Sequence, residues 1–284
     1  MEMDLEQAAY EVDRGGVRWL VIDDEPILQW AVNHGIHPSD VQLQLLGNGI
    51  TPLRYLKNYD ALTPTQQMRI CQSRVLVCGC GGLGGILVQL LARAGVGWMR
   101  VVDGDVFAPG NLNRQLLCDT TRIDRPKAEA AAETIRNINP LIRAEAVPEI
   151  MQEHNVGRLV EGMHLVLDAL DNLPGRFILA RAARRAGIPF IHGAVAGWWG
   201  QVTTLEPESP HGLESVYGRS KSRDPAEEPL GVLGPTAAVI GSLQAFEAVR
   251  ILSGKKPAYS EQLLYFDGEA GRTEMIPRSD LHPG

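Results

Sequence analysis

A glycine-rich run behind a short apolar stretch constrains the fold of this chain more than any other feature. The apolar residues 75–77 lead into the sequence CGCGGLGG at residues 78–85. This order is typical of a β-strand, a tight turn and a helix start, in which Gly79, Gly81 and Gly84 let the backbone approach phosphate groups. The N-terminus of such a helix also offers N–H groups to an anion. The run predicts a nucleotide site without identifying the nucleotide.

A second polar cluster follows the next apolar run and helps to choose between nucleotides. Asp103 ends that run about 20 residues after the turn, a position that suits the ribose of either NAD or ATP. Arg114 and Lys127 favour ATP, because the triphosphate and the departing pyrophosphate need cations where charge develops. An NAD-dependent dehydrogenase is therefore an alternative that Asp103 permits and the two basic residues disfavour.

Short apolar runs alternate with helical segments between residues 74 and 191. The alternation predicts an α/β fold with a doubly wound, Rossmann-like and mostly parallel sheet, whose ligands bind beyond the carboxyl ends of the strands. Residues 200–205 and 263–267 are predicted to extend the sheet as antiparallel strands, with a buried helix between them. The predicted strands are 75–77, 99–102, 144–147, 165–167 and 189–191, and the predicted helices are 83–94, 127–138, 176–186 and 235–252.

Two parts of the chain lie outside this alternation. Residues 1–48 are predicted to form a small N-terminal appendage with helices at 23–33 and 39–46, and packing against the main domain is favoured over partner binding. Residues 206–230 are rich in Pro, Ser, Glu and Arg with little periodicity, which predicts a mobile crossover loop. The main domain is predicted to span residues 49–284.

Charge and composition disfavour several classes of protein. The formal net charge is −7 and no basic tail is present, which argues against nucleic-acid binding. No apolar run approaches the roughly 20 residues of a membrane span, and the acidic, polar start differs from a secretory signal, so a cytoplasmic location is predicted. The four cysteines form no CxxC pair, and Cys78 and Cys80 are predicted to be small core residues.

A series of short motifs runs in order from about residue 50 to the C-terminus. They are CGCGGLG at 78–84, DGD at 103–105, NLNRQ at 111–115, RPK at 125–127, DALDN at 168–172, GAV at 193–195, GQVT at 200–203 and GVLGP at 231–235. In this order they resemble the ThiF/MoeB/HesA adenylyltransferases, bacterial relatives of the ubiquitin-activating enzymes. The resemblance implies an ATP-binding adenylation domain.

The resemblance also implies a reaction and a partner. In that family, the C-terminal carboxylate of a small ubiquitin-like sulfur-carrier protein, which ends in two glycines, attacks the α-phosphorus of ATP and releases pyrophosphate. The carrier supplies the nucleophile, so the enzyme has to position two anions and stabilise the leaving group. The resemblance further implies a homodimer that works in thiamin, molybdopterin or related sulfur metabolism.

Site residues follow from the same resemblance. The implied catalytic residues are Arg114, Lys127 and Asp171. Asp171 corresponds to the family's acid associated with Mg²⁺, an ion that commonly joins a carboxylate to phosphates. In the segment RYLK at 54–57, Lys57 stands where the family has an arginine that reaches ATP across a dimer interface. The implied nucleotide-binding residues are Gly79, Gly81, Gly82, Gly84, Asp103, Asp105, Asn111, Arg114, Gln115, Lys127, Asp171, Asn172 and Lys57.

Some residues beside these motifs have a structural alternative. Asn172 could cap a helix that begins near residue 174, and Asp168 could orient the loop that follows its strand. His192 is expected to be a hydrogen-bonded structural residue. Trp198 and Trp199 could form an apolar wall for the tail of the carrier, although core packing is the favoured role.

The chain departs from the family pattern in two places. Many members carry two CxxC pairs that hold zinc, and this chain has neither, so no zinc site is predicted. Some relatives have a cysteine where this chain has Glu227, which makes a covalent carrier intermediate at that place doubtful. These departures leave three further hypotheses open beside carrier adenylation: a noncatalytic carrier-docking protein, the NAD-dependent dehydrogenase, and an enzyme that adenylates a tRNA base.

Overall fold

In a computed structural model that describes residues 5–218 and 230–281, the N-terminal residues form a small three-stranded sheet with two helices. The first two strands form an antiparallel hairpin through Gly15 and Gly16, which both adopt positive φ. The third strand joins the second in parallel. Both predicted helices are confirmed, but the hairpin was not expected. The elements are β1 (Tyr10–Arg14), β2 (Val17–Ile22), α1 (Asp24–His34), α2 (Pro38–Gly47) and β3 (Thr51–Pro52).

This N-terminal unit packs on the main domain. Leu141 of the main domain is fully buried among the apolar residues of α1 and α2. Its carbonyl accepts a 2.9 Å hydrogen bond from Gln42, which is itself fully buried. Arg54 pairs with Asp24 and donates to the carbonyl of Ile138 at 2.9 Å. These contacts support the packing role, and the boundary at residue 48 stays a prediction.

An eight-stranded sheet forms the centre of the described residues. Its strands are β4 (Arg74–Cys78), β5 (Trp98–Val102), β6 (Arg143–Val147), β7 (Leu165–Asp168), β8 (Phe190–Ala196), β9 (Trp199–Leu205), β10 (Gln262–Asp267) and β11 (Arg272–Pro277). The strand order is β11-β10-β9-β8-β7-β4-β5-β6. Strands β4 to β8 pair in parallel and β9 to β11 pair antiparallel, which confirms the predicted fold class.

Helices cover both faces of this sheet, as a doubly wound fold requires. One apolar core lies between the sheet and α4, α5 and α9, and a second lies on the other face under α6 and α7. No helix in the described ranges is both long and apolar enough to span a bilayer. The helices are α3 (Pro64–Gln72), α4 (Gly82–Ala94), α5 (Lys127–Ile138), α6 (Val156–Val160), α7 (Leu173–Arg185), α8 (Glu214–Tyr217), α9 (Gly234–Leu252) and α10 (Arg278–Leu281).

The structure adds to the sequence-based predictions and corrects one of them. Helix α3 and strand β11 were not predicted. The first part of the predicted crossover loop, residues 206–218, contains α8, whereas the mobility predicted for residues 219–229 concerns residues outside the described ranges. The favoured core-packing role is wrong for Trp198, whose surface is 51% exposed in the turn between β8 and β9.

Candidate functional site

A cavity of about 460 Å³ opens at the carboxyl ends of β4, β5 and β7. Because the carboxyl ends of parallel strands meet at one edge of the sheet, polar residues far apart in sequence converge there. Of the predicted site residues, the structure brings the following to this cavity: Gly79, Gly81, Gly82, Asp103, Asp105, Arg114, Gln115, Lys127, Asp171 and Asn172.

The glycine turn joins β4 to α4 in a backbone path that side chains would block. Gly79 has a φ of +96°, and a Cβ at this position would collide with the carbonyl oxygen of Ala169. A Cβ on Gly84 would collide with the carbonyl oxygen of Gly79. Gly81 is the N-cap of α4 and has no side chain to occupy the first N–H groups of the helix. The turn therefore offers backbone donors to an anion in the cavity.

Asp103 fixes this turn to the end of β5. One carboxylate oxygen accepts from the Cys80 N–H at 2.7 Å, and the other accepts from the Asp105 N–H at 2.9 Å. Burial raises the pKa of Asp103 above its usual value, while the two N–H donors and the Lys127 ammonium act in the opposite direction. The structure thus gives Asp103 a role in shaping the turn, and its contact with a ribose stays a prediction.

Lys127 places a nearly buried cation at the cavity. Its side chain is 9% exposed, and its ammonium lies 3.0 Å from a carboxylate oxygen of Asp105, whose side chain is 69% exposed. The Lys127 N–H also donates to the Asp105 carbonyl at 2.9 Å, which holds the start of α5 beside the strand end. A phosphate that entered the cavity would meet this ammonium together with its acidic partner.

Arg114 lies in a loop that Asn111 orders. The Asn111 side chain accepts from the Ala108 N–H at 2.9 Å, and its carbonyl accepts from the Arg114 N–H at 3.2 Å. The Arg114 guanidinium donates to two neutral oxygens, the Gly110 carbonyl at 3.1 Å and the Asn113 side chain at 2.8 Å. Asn111 itself does not line the cavity, so the structure supports its ordering role rather than direct contact.

Gln115 presents an unsatisfied polar atom at the same place. The residue is 6% exposed, and its Oε1 atom has no hydrogen-bond partner among the described residues. A Cβ added to Gly81 would lie 3.3 Å from Nε2 of Gln115, so the amide closely adjoins the glycine turn. Buried amide oxygens normally have a partner, and a bound ligand would supply one here.

Asp171 and Asn172 follow β7. The Asn172 side chain accepts from the Gly175 N–H at 2.9 Å and caps α7, so its structural alternative is confirmed although it also lines the cavity. Asp171 is exposed at the cavity. Within the described ranges, no group of three or more His, Cys, Asp or Glu residues could hold a metal. A single exposed carboxylate nevertheless suits Mg²⁺ that keeps its waters and binds phosphate oxygens, so the residues fit a metal delivered with ATP.

A family model described as "ThiF family" matches residues 55–283. The chain belongs to the ThiF family. Two curated members of similar length are the SAMP-activating enzyme E1 of Haloferax volcanii and the sulfur carrier protein adenylyltransferase of Thermus thermophilus. The chain is 37% identical to the first over 77% of its own length and 81% of that protein. It is 36% identical to the second over 76% of its own length and 82% of that protein.

Other similarities cover a smaller share of the protein compared or concern the fold alone. The mouse adenylyltransferase and sulfurtransferase MOCS3 is 35% identical over 74% of this chain, which spans only 46% of that protein. The crystal structure of E. coli MccB with ATP superposes with a TM-score of 0.68 at 18% identity, covering 84% of this chain and 78% of MccB. PaaA gives a TM-score of 0.65 at 21% identity over 84% of this chain and 72% of PaaA.

In this ThiF-family chain, three of the predicted nucleotide-binding residues do not line the cavity: Gly84, Asn111 and Lys57. Lys57 is exposed in the short 3-10 helix Leu53–Asn58 and does not line the cavity, so its predicted contact requires a second protomer. Conversely, three residues that were not predicted as site residues line the cavity: Glu149, Ile150 and Met151. They lie in irregular chain after β6, where no motif or periodicity marks them.

A buried polar network lies directly behind the cavity. Asp168 is fully buried, and its carboxylate accepts from the Leu170 N–H at 3.0 Å and contacts Nδ1 of His192 at 2.7 Å. His192 is also fully buried, and its Nε2 lies 2.8 Å from the Tyr217 hydroxyl. The expectations that Asp168 orients the following loop and that His192 is hydrogen-bonded are therefore confirmed.

All four cysteines are buried and unpaired. Burial raises the pKa of Cys71 to about 11 and holds the thiols of Cys78 and Cys80 well above the usual range. Cys78 and Cys80 are fully buried, as predicted. Glu227, which stands where some relatives have a cysteine, lies outside the described residues.

Proposed function

We propose that this protein is an ATP-dependent adenylyltransferase that activates the C-terminal glycine carboxylate of a ubiquitin-like sulfur-carrier protein. The observation that carries the proposal is the convergence of Arg114, Lys127 and Asp171 with the glycine turn around one cavity. The names of the H. volcanii and T. thermophilus relatives support a carrier protein as the second substrate.

The reaction needs little covalent chemistry from the protein. A carboxylate oxygen of the carrier forms a bond to the α-phosphorus of ATP. The bond from that phosphorus to the oxygen bridging to the β-phosphate breaks, and pyrophosphate leaves with the electron pair. Arg114 and Lys127 offset the repulsion between the two anions and the charge that develops on the leaving group. This mechanism agrees with buried thiols, because the nucleophile belongs to the carrier.

Several finer points belong to the same proposal. Asp171 would hold Mg²⁺ that arrives with ATP, and the ion would supply further positive charge to the phosphates. The carrier ends in two glycines, whose lack of side chains lets the backbone of its tail approach the α-phosphate closely. The protein acts in the cytoplasm as a homodimer, in which Lys57 of one protomer faces the nucleotide of the other.

Pyrophosphate exchange tests this function directly. Purified protein is incubated with ATP, magnesium, labelled pyrophosphate and each member of a panel of diglycine-ended carriers. We expect exchange with one carrier, and a loss of about a hundredfold in Arg114→Ala, the scale for losing one charge-stabilising donor. Arg93→Ala is the matched control. Arg93 also donates to a carbonyl four residues earlier, Gln89 at 3.1 Å, but lies in the last turn of α4, away from the cavity.

The outcomes separate this function from the other hypotheses. Near-normal exchange in Arg114→Ala would contradict the assignment of that residue. ATP binding without exchange for any carrier would favour a docking role or a tRNA substrate, and exchange that depends on tRNA would decide between them. Calorimetric binding of NAD but not of ATP would restore the dehydrogenase hypothesis.

A further inference from the structure

The Tyr217 hydroxyl is the meeting point of three polar side chains from different elements. Arg176 of α7 donates to it at 3.1 Å, Gln201 of β9 donates to it at 2.8 Å, and Nε2 of His192 in β8 lies 2.8 Å away. Tyr217 itself ends α8. The hydroxyl therefore joins a four-residue helix to the sheet and to the helix that borders the nucleotide cavity.

The hydroxyl connects to the Asp168 carboxylate through His192. The Arg176 guanidinium and the Gln201 amide donate to the Tyr217 oxygen. Nε2 of His192 lies at the same hydroxyl, and Nε2 of Gln201 also lies 3.5 Å from that ring nitrogen. On its other side, the ring contacts the Asp168 carboxylate through Nδ1 at 2.7 Å. Tyr217, His192 and Asp168 therefore form one continuous series of polar contacts.

Both branches of this network end on one residue of the cavity wall. The Asp168 carboxylate accepts from the Leu170 N–H at 3.0 Å. The Arg176 guanidinium donates to the Leu170 carbonyl from Nε at 3.1 Å and from Nη2 at 2.7 Å. The two main-chain groups of Leu170 are thus both held, and Asp171 is the next residue.

We propose that Tyr217 is a positioning residue for Asp171. Its hydroxyl orients Arg176 and His192, these orient Leu170 through its carbonyl and through Asp168, and Leu170 sets where the Asp171 carboxylate meets the magnesium of bound ATP. This inference rests on the proposed function only in taking MgATP as the ligand of the cavity. It implies that correct docking of α8 is a condition for a correctly placed metal ligand.

The side chains around the Tyr217 hydroxyl are buried, and for this reason deleting the hydroxyl is expected to affect the cavity. Arg176 is 5% exposed, and His192 and Asp168 are fully buried. Water therefore cannot readily replace a contact that is lost inside this network. With the hydroxyl removed, the His192 ring and the Arg176 guanidinium each lose one of the contacts that orient them. We expect the loop at 169–172 to gain freedom as a result.

The test is calorimetric titration of ATP into the full-length protein, with magnesium and separately with EDTA. Tyr217→Phe keeps the ring and removes the hydroxyl. We expect it to weaken ATP binding about fivefold with magnesium, the equivalent of one net hydrogen bond, and less than twofold in EDTA. Tyr59→Phe is the matched control, because it removes another buried hydroxyl, bonded to Thr51 at 2.9 Å in the N-terminal unit. It should leave both affinities within twofold of wild type.

A double-mutant cycle gives the second readout. If Tyr217 acts through Asp171, the Tyr217→Phe change should alter MgATP affinity by less than twofold in an Asp171→Asn background. Equal losses with and without magnesium, full additivity with Asp171→Asn, or wild-type affinity in Tyr217→Phe would each overturn the proposal. If Tyr217→Phe does not fold, His192→Gln tests the other end of the network, with the same magnesium-dependent loss expected.

The wild-type titrations separate failure of this inference from failure of the proposed function. If the wild-type protein binds MgATP but none of the carriers supports pyrophosphate exchange, the carrier adenylation would be overturned. The positioning role of Tyr217 could still be measured in that case. Wild-type affinity that does not depend on magnesium would overturn the positioning role alone. Wild-type protein that binds no ATP would overturn both.

Discussion

Replacing Lys127 by methionine should separate activity from stability. Methionine has a volume similar to that of lysine and no charge, so it fills the same space beside the cavity. Lys127 is 9% exposed, and its ammonium has the Asp105 carboxylate as its acidic partner at 3.0 Å. Asp105 is 69% exposed, so it returns to water when the ammonium is removed.

The expected magnitudes follow from this asymmetry. An ion pair with an exposed carboxylate contributes about 0–1 kcal/mol, and a buried ammonium pays a desolvation cost that methionine does not. The free energy of unfolding of Lys127→Met should therefore lie within about 1 kcal/mol of the wild-type value, with either sign. Exchange should fall about a hundredfold or more, because the lost cation stabilises charge that develops in the transition state.

Two measurements check the prediction. Denaturant unfolding gives the stability of the variant, and carrier-dependent pyrophosphate exchange gives its activity. Lys256→Met is the control, since Lys256 is exposed on the surface and lines no part of the cavity. A loss of stability of several kcal/mol would show that Lys127 is structural, and exchange within a few fold of wild type would refute its role at the phosphates.

Two further predictions concern the neighbouring acid and the thiols. Asp105→Asn should tighten ATP binding a few fold, because it removes a negative charge that competes with phosphate for the Lys127 ammonium; weaker binding would instead indicate that Asp105 contacts the adenosine or the metal. Burial raises the pKa of Cys71 to about 11 and that of Cys78 and Cys80 well above the usual range, so a thiol reagent at pH 8 should modify these three only after unfolding. Because the folded pKa of Cys71 exceeds the unfolded value of about 8.5, its stabilising contribution is present below that pH and is lost as the pH rises toward 11. Unfolding titrations at pH 7.5 and 10.5 check the sign, and modification of the folded protein at pH 8 would contradict the burial.

The sequence predicted those elements whose pattern is local. Helix α5 begins and ends where its apolar periodicity predicts, and the buried strands of the parallel sheet are continuous apolar runs. Strand β11 has three charged or polar side chains among its six and is mostly exposed, so only its pairing with β10 makes it a strand. Helix α3 did have a local signal that was overlooked, the capping box of Thr63 and Gln66.

The residues of the site also divide into those that a local sequence pattern predicted and those that it did not. Arg114, Lys127 and three of the predicted glycines line the cavity, because the motifs that contain them keep their order along the chain and the sheet brings them together. Tyr217 has no comparable signal. It lies in a segment without periodicity, and its partners Arg176, His192 and Gln201 are between 16 and 41 residues away. Which polar atoms share one hydroxyl depends on the tertiary packing of α8 and cannot be read from a linear pattern.

Arg114 and Lys127 differ in what ATP must displace. Arg114 donates to a backbone carbonyl and a neutral amide oxygen, both of which water can satisfy when the guanidinium turns toward a phosphate. Lys127 is held by a carboxylate, so a phosphate has to share its charge with Asp105. The free-energy cost of bringing a phosphate to Lys127 is therefore larger than the cost of bringing one to Arg114. This cost is best offset at the point in the reaction where the negative charge on the phosphates is greatest. We therefore predict that Arg114 acts in the initial capture of the triphosphate and that Lys127 stabilises the charge that develops as pyrophosphate leaves.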